Sequence, residues 1–162
     1  MSVSRALRAT LLFVLLTALH FSVRPLLPER LAVDFLVIAL LLAAVRLRPG
    51  WAAVAGFALG LLVDSLAPGT FGAAALAMTT VGFSASWLKA VFFADNLALN
   101  GFFIFMGKWA FDLLYLAAGR RVPGGEWLMQ AMVWSPLAAA ATALAGVLLL
   151  LVLRPLLEAR AT

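Results

Sequence analysis

Apolar residues run along this chain in six blocks, at about 4–23, 31–45, 51–63, 71–87, 97–118 and 127–153, and each predicts a helix. The breaks between blocks are short and carry the usual helix stops. Pro25 and Pro28 end the first helix, Pro49 and Gly50 part the second from the third, Pro68 and Gly69 part the third from the fourth, and Pro123, Gly124 and Gly125 precede the last. No break has room for a soluble domain, so residues 1–162 are expected to form one integral membrane domain. The fold class expected is all-α: a polytopic membrane helix bundle with six transmembrane segments. The second and third blocks are short, reaching roughly 20–22 Å against a hydrocarbon core of roughly 30 Å. Tilt, local thinning of the bilayer or a re-entrant pair would each accommodate them, and each leaves both termini on one side. Pro136 lies inside the sixth block and is expected to kink it unless a neighbouring helix satisfies the freed carbonyl.

Composition turns membrane helices from one option into the expectation. Hydrophobic residues make up 65% of the chain and mean hydropathy is +1.10, against roughly 45–50% apolar residues in soluble domains. There are no cysteines and one histidine, His20, which excludes disulfides, thiolate metal sites and histidine clusters. His20 is expected at the membrane interface. The net charge of +5 does not point to nucleic acid, because the cations stand in ones and twos at block ends. They read as topology signals and contacts to anionic membrane lipids. With the N-terminus inside, Arg5, Arg8, Arg46, Arg48, Lys89, Arg154 and Arg160 face the cytoplasm, and Arg24, Arg30, Arg120 and Arg121 face outward. This count predicts that both termini are cytoplasmic. The first block follows Arg5 and Arg8 as a signal peptide would, but Ala18, Leu19 and His20 make no small-x-small cleavage site, so a retained anchor is expected. Trp51, Trp87, Trp109, Trp127 and Trp134 stand mostly near block ends, as an aromatic belt would.

Small residues recur at helical spacing. Ala52, Gly56, Gly60 and Asp64 follow every four residues, a strip that ends in a carboxylate. Gly72, Ala75, Thr79, Gly82 and Ser86 repeat the device on the fourth helix, and Ser135, Ala139, Thr142 and Gly146 on the sixth. Membrane helices meet where small residues let backbones approach, so these faces predict close helix packing or a groove for a partner helix or lipid.

The fifth helix holds Lys108 and Asp112 at i and i+4, with Tyr115 about a turn further on. Lys108 lies near mid-bilayer, where an unpaired charge costs about 2.5–3.5 kcal/mol, so a buried Lys108–Asp112 pair is expected. Lys precedes Asp, the weaker order, which calls for a further partner. Asp34 and Asp64 are both within reach, and a pair shared with Asp64 is the expectation. Three roles are open to Asp64: capping the Pro68-Gly69 turn through backbone amides, pairing with Lys108, or contacting a partner protein. An architectural pair and an ion or proton relay are both open to Lys108 and Asp112. The chain has no phosphate loop, no His-Glu-x-x-His and no Ser-His-Asp set, so no catalytic residue, metal site or cofactor is expected, and an enzyme is not.

The stretch from Arg46 to Ala75 has a basic Pro-Gly turn, then a Gly-bearing helix ending Gly60-Leu61-Leu62-Val63-Asp64. A short break and Phe71-Gly72 follow. It resembles the rod shape-determining protein MreD family, with Gly60, Asp64, Phe71 and Gly72 as the matching motif residues. The resemblance implies a multi-pass component of the bacterial inner membrane within the elongation (Rod) machinery. Its implied role is a scaffold for MreC, linked to MreB filaments, to RodA and to a class B penicillin-binding protein in peptidoglycan synthesis. MreD proteins also look like the six-helix S components of vitamin transporters, which makes a small-molecule binding or transport subunit the alternative. Against that alternative, Ala6, Ala9 and Ala18 lack the Ala-x-x-x-Ala spacing of a docking helix, and the outer loops are short.

Overall fold

A computed structural model describes residues 14–22, 33–92, 96–119 and 124–158, and among these every regular element is helical. Residues 14–22 form α1. It is followed by α2 (Phe35–Ala44), α3 (Pro49–Leu66), a 3₁₀ turn (Pro68–Thr70), α4 (Ala73–Phe92) and α5 (Leu97–Gly119). The last run comprises α6 (Gly124–Met129), a π-helical turn (Gln130–Trp134) and α7 (Ser135–Glu158). Six helical runs result among the described residues, the number of apolar blocks.

Two local signals set where the early helices begin. Asp34 caps α2 by accepting the Val37 amide on Oδ1 at 3.2 Å. Pro49 opens α3, where its fixed φ suits a helix and its missing N–H has no partner to lose. α3 therefore runs for 18 residues, or roughly 27 Å, rather than the short 51–63 read from the block. The end residues that broke the hydropathy pattern, Pro49, Gly50 and Asp64, all lie within it. Pro49–Leu66, Leu97–Gly119 and Gly125–Val152 are each long and apolar enough to cross a membrane. α2, at ten residues, is short.

α2 forms the axis of the bundle. Leu36, Val37, Ile38, Ala39, Leu40, Leu41 and Ala44 are all buried, so neighbouring helices enclose most of this helix. It contacts α3, α4, α5 and α7. Around it, α3 and α4 form one antiparallel hairpin, α5 packs on α7, and α4 joins α5. The outward faces are apolar, with Val54, Phe57, Phe83, Phe102, Leu144 and Leu148 exposed.

The ends of the first block, with Arg5, Arg8, Pro25 and Pro28, lie outside the described residues. So do Arg24, Arg30, Arg120, Arg121, Pro123 and Arg160.

Candidate functional site

Two buried polar centres hold the bundle together. The first gathers His20 of α1, Asp34 at the head of α2, Lys108 and Asp112 of α5, and Thr142 of α7. Lys108 Nζ lies 2.6 Å from Asp112 Oδ1 and 3.3 Å from Asp34 Oδ2. His20 Nδ1 lies 3.4 Å from Asp34 Oδ1. The Asp34 amide donates to Thr142 Oγ1 at 3.2 Å, and Thr142 returns its hydroxyl proton to the Ala138 carbonyl at 2.8 Å. Lys108 also stands over the Phe111 ring at 4.8 Å. One ammonium between two carboxylates satisfies the rule that intramembrane charges face the bundle interior and pair. Asp34 is the hub: through it the head of α2 is tied to α1, α5 and α7 at once.

This geometry corrects two expectations. The second carboxylate on Lys108 is Asp34, not Asp64. His20 is 1% exposed, so its imidazole is held inside the bundle rather than presented to the headgroups. Both corrections have the same cause: the N-cap of α2 turns Asp34 inward, and α1 packs where its imidazole can meet it.

Asp64 forms the second centre. Its carboxylate is fully buried at the end of α3 and receives the Ala74 amide on Oδ1 at 3.1 Å and the Ala75 amide on Oδ2 at 2.9 Å. These are two of the first amides of α4, which no turn of that helix can satisfy. The carboxylate also sits on the positive end of the α4 dipole. Asp64 is thus a cap supplied across the hairpin, and it is engaged with α4 rather than with Lys108.

The rest of the strip explains why that reach is short. A Cβ on Gly56 would run into the Met78 carbonyl, and one on Gly60 into the Cα of Ala75 and the carbonyl of Ala74. Gly82 of α4 returns the fit: a Cβ there would lie 2.6 Å from the Ala52 carbonyl. Ala52 and Ala75 are buried, and Thr79 donates its hydroxyl to the Ala75 carbonyl at 2.6 Å. The Ala52–Gly56–Gly60 face is filled by α4 and leaves no groove for an outside helix. Gly72 does not belong to the packed face. It precedes α4 at φ +94° with open space where a Cβ would be, so its role is the turn. Phe71 beside it is 66% exposed.

Tyr115 stands apart from the charges. Its hydroxyl is 3.0 Å from Thr70 Oγ1, and its ring stacks on Phe111, which ties α5 to the 3₁₀ turn. On the last helix Ser135, Ala139, Thr142 and Gly146 are all buried. Pro136 has a consequence one turn earlier. The π turn sends the Ser135 amide to the Gln130 carbonyl, so the Ala131 carbonyl would look to residue 136, which has no N–H. Trp109 supplies the donor instead, with Nε1 3.1 Å from that oxygen. Trp109 is therefore a mid-helix tie, not part of a belt.

At the far end of α2, Ser86 Oγ and Lys89 Nζ both donate to the Leu47 carbonyl at 2.7 Å. Among the described residues no three His, Asp or Glu side chains are placed to hold a metal ion. Asp34 as an N-cap was readable from an aspartate ahead of an apolar run. The inward place of His20 has no such local signal.

The chain matches the family model for the rod shape-determining protein MreD over residues 3–158. No curated protein and no solved structure matches it.

Proposed function

The chain belongs to the MreD family, whose members act in rod shape determination, and on that premise we propose that it is a non-enzymatic scaffold of the bacterial inner membrane. In this reading it is a multi-pass protein that positions MreC and, through it, MreB, RodA and a class B penicillin-binding protein during peptidoglycan synthesis. The observation that carries the proposal is where the intramembrane charges go. Asp64 is spent on the amides of α4, and Lys108 on Asp34 and Asp112. Such charges in membrane proteins usually mark substrate or ion pathways. Here they bind helices to one another, which makes a stiff body whose outer apolar faces are free for lateral contacts.

The test is a mild-detergent pull-down of the tagged protein from its own membranes, with partners identified by mass spectrometry. Recovery of MreC together with wall-synthesis enzymes is the expected result. Recovery of an ATPase-bearing transport module without MreC would overturn the scaffold and favour a small-molecule binding subunit.

A further inference from the structure

A groove runs between α4 and α5 with the side chain of Leu41 as its floor. It has a volume of about 260 Å³, below the roughly 300–1,000 Å³ of sites that enclose compact small molecules. Its walls are Val81, Ala85 and Leu88 on one side and Phe103, Met106 and Leu114 on the other. Two hydroxyls reach its rim: that of Thr80 is bonded to the Leu76 carbonyl, and Ser84 is exposed. Along α4 the groove extends from Thr80 to Leu88, and along α5 from Phe103 to Leu114. These spans are roughly 12 and 16 Å, close to the depth of one leaflet of a bilayer with a core of roughly 30 Å.

Beside the Leu88 end of the groove, Lys89 reaches the turn that carries Arg46 and Arg48. Leu88 adjoins Lys89, whose ammonium donates to the Leu47 carbonyl and retains two further N–H groups. Arg46 and Arg48 flank Leu47 and are both exposed. No carboxylate among the described residues pairs with any of the three. Trp51 and Trp87, at 67% and 71% exposed, stand at the same end of the hairpin and mark it as headgroup level.

We propose that this is a seat for one anionic phospholipid, with an acyl chain in the α4–α5 groove and its phosphate against Arg46, Arg48 and Lys89. The apolar lining and slender volume suit a hydrocarbon chain. A transmembrane helix, roughly 10–12 Å across, would ride over a groove of this volume rather than fill it, and would have no use for three cations. Charge complementarity selects an acidic headgroup over a zwitterionic one.

Native mass spectrometry of the full chain released from detergent tests this, using dioleoyl phosphatidylglycerol and dioleoyl phosphatidylcholine as probes. One retained phosphatidylglycerol is expected, with little phosphatidylcholine. R46Q/R48Q should lower retention roughly 25-fold, about fivefold per cation removed. Ala110→Phe, placed on the exposed rim to fill the groove, should displace the lipid while the unfolding midpoint stays at the wild-type value. Equal retention of both lipids would overturn the proposal. So would unchanged phosphatidylglycerol retention in both variants, or release of a membrane protein partner by Ala110→Phe with the lipid still bound.

Discussion

Replacing Lys108 by Met removes the ammonium that pairs with both Asp34 and Asp112. Side-chain exposure is 8% for Lys108, 9% for Asp34 and 15% for Asp112, so solvent screens the group weakly. At an effective dielectric constant of about 20, each contact is worth on the order of 5 kcal/mol of gross attraction, most of it offset by desolvation. What decides the outcome is the charge left behind, because removing one partner of a buried pair costs about 3–5 kcal/mol. The Asp112 contact, at 2.6 Å, is the shorter of the two, and Asp34 at 3.3 Å keeps the Val37 amide and His20 after the change. Lys108→Met should therefore destabilise the bundle by about 3–5 kcal/mol. Its coupling to Asp112→Leu should be about 1–3 kcal/mol, and its coupling to Asp34→Asn smaller. Asp64→Asn should add to Lys108→Met within about 0.5 kcal/mol, since Asp64 is held by α4. The assay is equilibrium unfolding in mixed micelles by dodecyl sulfate titration, followed by tryptophan fluorescence, over all three cycles. Additivity of Lys108→Met with Asp112→Leu, or coupling to Asp64 as large as to Asp112, would refute the assignment.

The same titration reads substitutions at the other packing positions. Gly60→Ala and Gly56→Ala place a methyl against α4 backbone, which cannot swing aside like a side chain, and should cost about 1–3 kcal/mol each; Gly50→Ala, with open space around it, should cost nothing. Asp64→Ala leaves two α4 amides unpaired in the core and should cost about 2–3 kcal/mol, while Asp64→Asn, which keeps one acceptor oxygen, should cost less. Trp109→Phe should cost about 1–2 kcal/mol by orphaning the Ala131 carbonyl; in a Pro136→Ala background, where residue 136 regains an N–H, the loss should shrink, and an equal loss in both backgrounds would sink that account.

The six helical runs were legible because a helix in hydrocarbon must satisfy its own backbone, so long apolar blocks have few other choices. The four-residue spacing of Ala52, Gly56, Gly60 and Asp64 likewise showed that these residues share one face. The i, i+4 pair of Lys108 and Asp112 was legible for the same reason, since spacing along one helix is geometry the chain carries with it. Boundaries were less so: hydropathy fades at Pro49 and Asp64, while the backbone hydrogen bonds continue to Leu66.

What the tertiary structure alone decided is which groups meet across helices. Lys108 finds Asp34, 74 positions away, and Asp64 finds the head of α4 instead. From sequence both aspartates were in reach of the ammonium, and the choice turned on α4 lying so close to α3 that its first amides claim the Asp64 carboxylate. His20 gave no sign of burial, because a polar residue near a helix end reads as interfacial until a neighbouring helix covers it. Chain pattern determines what each helix must hide, and packing determines what it is hidden against, because contacts between helices depend on the rotation and depth at which each one settles.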